Sequence, residues 1–272
     1  MGNELYADIP LRSSFRDIAQ KLDPQGLYID SDGVDKKLLS DPKRDRPTLS
    51  LYAIQFPEWD DPVVSKNKFE TPKPIKPVIS HETGNYLTFS RPDLADQFKH
   101  NFKPFWLSEG KARLEKMGLL QEASQWADKS ERLYMFLHKS NLEALRKNPY
   151  LSGYHWWLFQ DYWTTANGIV DLYFRPKAIT KEELLVFNSE IVLLQDGLAM
   201  TYRGKSRLDL KLLLSNFSSE PLPGELVWEV KVGGQKIAKQ TVSVKAIPQG
   251  GVTEVAGIGL VLPEQATPEG LS

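Results

Sequence analysis

The sequence predicts an α/β part followed by an all-β part, and two changes of hydrophobic period carry that prediction. Up to about residue 197, runs with helical spacing alternate with short apolar runs of strand length, the pattern of a parallel sheet with helical crossovers. After Asp196 and Gly197 the period drops to two, with Gly, Pro and Asn between the runs. That is the pattern of an antiparallel sandwich. The expected domains are therefore residues 1–197 and 198–272.

The first element, "IPLRSSFRDIAQKLDP", sets Ile9, Leu11, Phe15, Ile18, Ala19 and Leu22 on one helical stripe and stops before Pro24. "GLYIDSDG" (26–33) reads as a short strand ending in Asp30, Ser31 and Asp32, and "PTLSLYAIQF" (47–56) as a second. A Pro- and Lys-rich connector, "ETPKPIKP", leads into a third strand, "VISHE". Long helices are predicted over 94–147, with apolar stripes at Leu133, Phe136 and Leu137 and at Leu142 and Leu145. "SGYHWWLFQDY" (152–162) is the fourth strand. "TKEELLVFNSEIVLLQ" (180–195) is predicted to be a helix, with Thr180 as N-cap and Glu183 completing a capping box. Four alternating runs follow, "SRLDLKLLLSNFS", "GELVWEVKV", "QKIAKQTVSVKAI" and "TEVAGIGLVL".

Composition narrows the function classes. At 272 residues the chain is long enough for two domains and a sizeable core, and 41% hydrophobic with 25% charged residues is ordinary for a globular protein. A net charge of −1 gives no reason to expect nucleic acid or an anionic surface as partner. No run of 18 apolar residues is present to span a bilayer. With no cysteine, disulfides, thiolate catalysis and cysteine-bound metals are excluded. Four scattered histidines are not expected to form a metal site, and no cofactor is implied. Seven tryptophans, clustered in "HWWLFQDYW", suggest platforms for sugar rings.

A barrel of alternating strands and helices presents its chemistry at the C-terminal strand ends. The strand ends read here are Asp30/Ser31/Asp32, Tyr52 to Gln55, His81/Glu82 and Gln160/Asp161, with Glu4 standing before the first helix as if it ended a preceding strand. Two carboxylates on one rim suit glycoside hydrolysis, in which a retaining enzyme holds its acid/base and nucleophile roughly 5–5.5 Å apart. Glu4 and Glu82 meet that need if three strand–helix units separate them, and the count of elements between them fits. A buried strand-end carboxylate costs several kcal/mol unless paired, so Glu82 has a purpose, catalytic or as a cap or ion pair. On an ideal strand Trp156 and Trp157 face opposite ways, which puts Trp157 on the face of His155, Phe159 and Asp161. His81 and His155 are read as hydrogen-bonding neighbours rather than as bases.

Three motifs in order, "GNE" (2–4), "VISHETG" (78–84) and "GYHWWLFQD" (153–161), resemble those of glycoside hydrolase family 2, the β-galactosidase, β-glucuronidase and β-mannosidase group. Gly153, His155, Trp157, Phe159 and Asp161 match that family's strand-eight pattern position by position. The resemblance implies the C-terminal half of a TIM (β/α)8 barrel followed by an immunoglobulin-like β-sandwich, both incomplete, and a β-linked glycoside or oligosaccharide as partner. It implies Glu4 as acid/base, Glu82 as nucleophile, Asn3 as a donor to the sugar 2-hydroxyl and Trp157 as the wall of the −1 subsite. His81, His155 and Asp161 line the same site. For the tyrosine that the family supplies from strand six, Tyr52 and Gln55 are the nearby candidates.

The match is not uniform. The family's Glu-Tyr-Gly reads Glu82-Thr83-Gly84 here, and the insert between residues 90 and 149 is long for the family. Met1 stands before "GNE" as an internal methionine would, so the chain is expected to be a piece of a longer enzyme, inactive without the missing N-terminal half barrel. The alternative reading is a non-catalytic carbohydrate-binding or structural fragment.

Overall fold

The computed structural model describes residues 9–29, 52–55, 74–99, 104–199, 201–265 and 267–272. They fall into two compact units, Met1–Glu183 and Leu184–Ser272. The N-terminal unit is mixed α/β and the C-terminal one β-rich, as the periods predicted.

The first unit contains α1 (Ile9–Leu22), β1 (Tyr52–Gln55), β2 (Val78–Thr83), α2 (Leu94–Gln97), α3 (Phe105–Met117), a 3-10 turn (Leu120–Glu122), α4 (Ala123–Lys147) and β3 (Leu151–Trp156). Its strands lie in the order β1-β2-β3, all parallel. Parallel neighbours need a long crossover, which α2 to α4 supply between β2 and β3. Register sets Gln55 beside His81 and Thr83 beside Trp156, so three C-terminal strand ends share one edge of the sheet.

Three local readings change. Residues 27–29 form no strand, and 30–33 lie outside the described residues. The strand expected to reach 162 stops at Trp156. Beyond it the backbone is claimed by a returning loop: Leu158 N donates to Asn167 O, Ile169 N to Leu158 O and Val170 N to Phe159 O. On α4 the buried face keeps the predicted pair Leu142 and Leu145 but not the stripe at Leu133, Phe136 and Leu137. Leu133 and Phe136 are exposed, while Ala127, Glu131, Tyr134, His138, Asn141, Leu142 and Leu145 are buried. Polar residues hold inward positions there, so a count of apolar residues selects a neighbouring face.

The predicted helix over 180–195 divides. Thr180 and Glu183 do form the capping box, with Thr180 N donating to Glu183 Oε2 at 2.8 Å and Glu183 N to Thr180 Oγ1 at 3.2 Å. The helix they start, α5 (Lys181–Leu185), is short, and β4 (Ile191–Asp196) follows. Val192 and Leu194 are buried while Leu193 is exposed, a period of two that a helical reading of the same leucines hides. Because β4 pairs antiparallel with the next strand, the unit boundary falls at residue 183, ahead of the expected 197.

The β-rich unit holds β5 (Arg207–Asn216), β6 (Leu222–Val232), β7 (Gln235–Ile247) and β8 (Gly251–Val261). One antiparallel sheet has the order β4-β5-β8 and a second pairs β6 with β7. Leu208 and Leu212 of β5, Ile258 of β8, Val230 of β6 and Leu262 form their common core. Gly233 and Gly234 close the β6–β7 hairpin with positive φ at both positions, the requirement of a type I′ turn.

Adjacent leucines separate strand from helix at β4. Leu194→Ala should cost about 3 kcal/mol in urea unfolding, the loss from a fully buried leucine. Leu193→Ala should cost under about 1 kcal/mol. Equal costs would contradict the strand.

Candidate active site

The C-terminal end of β2 is where the sequence concentrates its chemistry. Val78, Ser80, His81 and Thr83 are buried, and the Glu82 side chain is 15% exposed. Register against β3 slips between Ser80 and Thr83, a bulge that leaves His81 and Glu82 unmatched on that side. A side-chain clasp spans the bulge: Thr83 Oγ1 donates to Ser80 Oγ at 2.6 Å. Within it Glu82 takes a φ of 50°, the left-handed region that non-glycine residues avoid. His81 Nε2 lies 3.4 Å from Glu82 Oε1. The Glu82 carboxylate is thus held, largely buried, on strained backbone at the strand end.

An aromatic box lies behind this corner. His138 of α4 is fully buried and stacked on Trp156 of β3, with ring centroids 4.1 Å apart and planes at 19°. Tyr134 and Tyr86 meet it edge-on at 4.3 and 5.1 Å. Neither imidazole nitrogen has a hydrogen-bond partner among the described residues. Gly84, at φ 75°, closes the box: a Cβ there would stand 2.4 Å from His138 Cε1. The surrounding hydroxyls are tied down. Asn141 Nδ2 donates to Tyr86 Oη at 3.0 Å, Trp156 Nε1 to Tyr134 Oη at 3.2 Å, and Tyr134 Oη to Asn167 O at 2.8 Å. Burial holds the His138 imidazole down at about 3 and pushes the Tyr134 phenol up.

Of the residues singled out from sequence, His81, Glu82, His155 and Trp157 gather at the rim. Trp157, half-buried, donates its N–H to Thr83 O at 3.0 Å, which fixes its backbone beside the residue after Glu82. His155 is exposed, and its ring meets that of His81 edge-on at 6.2 Å. Trp156, half-buried as well, turns the other way and stacks on His138.

Others fall elsewhere. Tyr52 pairs with Val78 at the N-terminal end of β1, three residues and roughly 10 Å of strand from the rim. Gln55, opposite His81, holds the rim position on that strand. Asp161 is occupied inside the fold: its Oδ1 accepts from Lys177 Nζ at 2.6 Å and from Gly168 N at 2.8 Å. The shared-face argument for Asp161 assumed a strand that ends five residues earlier. Asn3 and Glu4 lie outside the described residues. So do residues 30–32, and among the described residues no three His, Asp or Glu side chains gather as a metal would require.

The Asp161–Lys177 pair belongs to a buried ionic scaffold. Lys177 Nζ also donates to Thr88 Oγ1 at 2.9 Å and lies 5.6 Å over the Tyr134 ring. Burial lowers the Lys177 ammonium and raises the Asp161 carboxyl from their usual ranges, each opposed by the partner's charge. Nearby, Glu131 of α4 takes Arg91 in a two-pronged pair at 3.0 Å on each oxygen, and its Oε2 also accepts Ala178 N. These bonds tie α4 to the loop following β2 and to the loop leaving β3. Sequence reasoning passed over His138, Lys177 and Glu131. For Glu131 and His138 the available signal was their helical spacing with Tyr134 and Asn141, masked by their polarity; Lys177 stands in a loop and carries no such signal.

No family model matches the chain, and no curated protein matches it either.

Two outcomes follow from these contacts. Above about pH 6.5 His138 is neutral in both states; below it only the unfolded chain takes the proton, until about pH 3. Stability should therefore fall with acid by up to about 1.4 kcal/mol per pH unit from this residue. His138→Phe should remove about 2 kcal/mol of the loss between pH 6 and pH 4, read by urea unfolding at each pH. Lys177→Met leaves Asp161 buried and unpaired and should cost about 3–5 kcal/mol, while Asp161→Asn in the same chain should recover a large part of it.

Proposed function

We propose that the chain carries the nucleophile half of a retaining exo-β-glycosidase related to glycoside hydrolase family 2. In this reading β1, β2 and β3 are strands six to eight of a (β/α)8 barrel, and the β-rich unit is its immunoglobulin-like sandwich. The observation that carries it is Glu82: a carboxylate at the C-terminal end of a parallel strand, in left-handed backbone, held by a bulge and clasp. Parallel order and shared strand ends support the barrel.

The chemistry needs two carboxylates. Glu82 attacks the anomeric carbon of a β-glycoside as Glu4 gives its proton to the leaving oxygen, forming a covalent glycosyl ester. Water then attacks the same carbon with Glu4 as base, releasing the sugar with retention. His81, against Glu82, orients the nucleophile. Trp157, fixed beside Thr83, offers an apolar wall for the sugar ring. The competing reading, a carbohydrate-binding or structural piece without turnover, is favoured by the commitment of Asp161 to Lys177.

The test belongs on protein that carries the complete barrel. A 2-deoxy-2-fluoro aryl β-glycoside should leave its label on the peptide containing Glu82, found by mass spectrometry. Glu82→Gln should lower turnover of aryl β-glycosides by a factor on the order of 10³ or more. Unchanged turnover, or a label on another carboxylate, would sink the assignment.

A further inference from the structure

We infer that the loop leaving β3 carries a second sugar-binding element, a platform made by Phe159 and Phe174, which takes an outer ring of a β-linked oligosaccharide. That the occupant is a sugar rests on the glycosidase reading above. The platform itself rests on three observations. Phe159 and Phe174 are 62% and 63% exposed, with ring centroids 6.4 Å apart and planes at 48°. Two large apolar rings left this exposed bury little surface for the fold, and adjacent exposed apolar residues of this kind mark contact sites.

The second observation is how Phe174 is held. It has a φ of 59° and, with Glu82 and Lys205, is one of three left-handed non-glycine residues among the described ones. Asp171 clamps the turn that displays it. Its Oδ1 accepts from Tyr173 N at 2.7 Å and Arg175 N at 3.0 Å, and its Oδ2 from Arg175 Nε at 2.6 Å. Phe174 N donates to Asp171 O, and Asp171 N to Arg175 O. Phe159 is fixed by Val170 N, which donates to its carbonyl. A backbone this constrained around an exposed ring is preorganised for contact.

The third is position and size. The loop begins at Trp157, bonded to Thr83 O, and Asn167 Nδ2 donates to Asn85 Oδ1 at 3.2 Å, so it runs beside the Glu82 strand end. Phe159, Phe174 and the 39%-exposed Tyr173 together show roughly 300 Å² of ring surface. A stable protein interface needs about 800 Å² per partner. One or two pyranose rings, whose C–H faces lie well on the electron-rich face of an aromatic ring, match the smaller figure.

The experiment uses the full 272-residue chain with cellotetraose, β-1,4-mannotetraose and β-1,4-galactotetraose as probes, by calorimetry and by saturation transfer from aromatic protons. At least one tetrasaccharide should bind, with transfer to its C–H protons. Phe159→Leu with Phe174→Leu should weaken that binding at least tenfold, and Phe159→Tyr with Phe174→Tyr should retain it; circular dichroism confirms that each variant is folded. Failure of all three sugars to bind, or full binding by the leucine variant, overturns the platform. So does a concentration-dependent dimer that Phe174→Leu abolishes, because the patch is then an interface between copies. The glycosidase reading is judged separately by Glu82 labelling: a labelled Glu82 with sugars indifferent to the two rings removes the platform alone, and ring-dependent sugar binding without a labelled Glu82 removes the glycosidase reading alone.

Discussion

His138 occupies the space that a side chain at position 84 would need, and much of the N-terminal unit is arranged around that contact. A glycine at 84 lets the chain turn sharply after Glu82, in a conformation a Cβ would strain, and leaves its Cα open to the imidazole. The ring's other face lies on Trp156 of β3. One side chain from α4 therefore touches the end of one parallel strand and the exit of the next. The tyrosines at 86 and 134 seal the edges, and their hydroxyls are bonded, while the two imidazole nitrogens lie in apolar surroundings with no partner among the described residues.

The ionic scaffold fixes the same helix a turn or two away. Burying Asp161, Lys177 and Glu131 is costly, and each pair returns that cost only through added bonds: Gly168 N and Thr88 Oγ1 for one, Ala178 N for the other. The consequence is specificity of placement. Glu131 bonds Arg91 and Ala178, and Lys177 lies over the ring of Tyr134 three residues further along α4, so shifting the helix by one residue would break the Glu131 pair and open the aromatic box. The loop after β3 is thereby held at fixed height beside the strand end that carries Glu82.

This explains which parts were legible in the sequence. The strand "VISHE", the helices over 94–147 and the four strands of the β-rich unit stand out because their apolar residues repeat at one period. Glu82 was legible as a charge on an apolar strand. The inner face of α4 was not, since three of its positions are Glu131, His138 and Asn141, whose burial depends on partners distant in sequence. Asp161 was misplaced because alternation along a strand was extended past Trp156, where the backbone turns into loop pairing with residues 167–170. β4 was misread because Leu184, Phe187, Ile191 and Leu194 follow a helical spacing, while Val192 and Leu194 follow a strand's. Tyr52 and Gln55 share a strand, and only the register shows that Gln55 is the one at the rim.

Strain completes the argument. A left-handed non-glycine residue costs about 1–2 kcal/mol, and among the described residues the N-terminal unit accepts it at Glu82 and Phe174. The Phe174 ring, mostly in water, does not repay it by packing, and Glu82 sets a largely buried carboxylate at the rim. Each is enforced by a local device, the Ser80–Thr83 clasp in the first case and the Asp171 clamp in the second. Stability alone would relax both turns, since Asn or Gly at either position would remove the cost. Their placement sets the Glu82 carboxylate and an aromatic ring at the start and end of one continuous edge, joined by the Trp157–Thr83 bond. In the glycosidase we propose, a saccharide that reacts at one end of its chain and is gripped further along needs that arrangement.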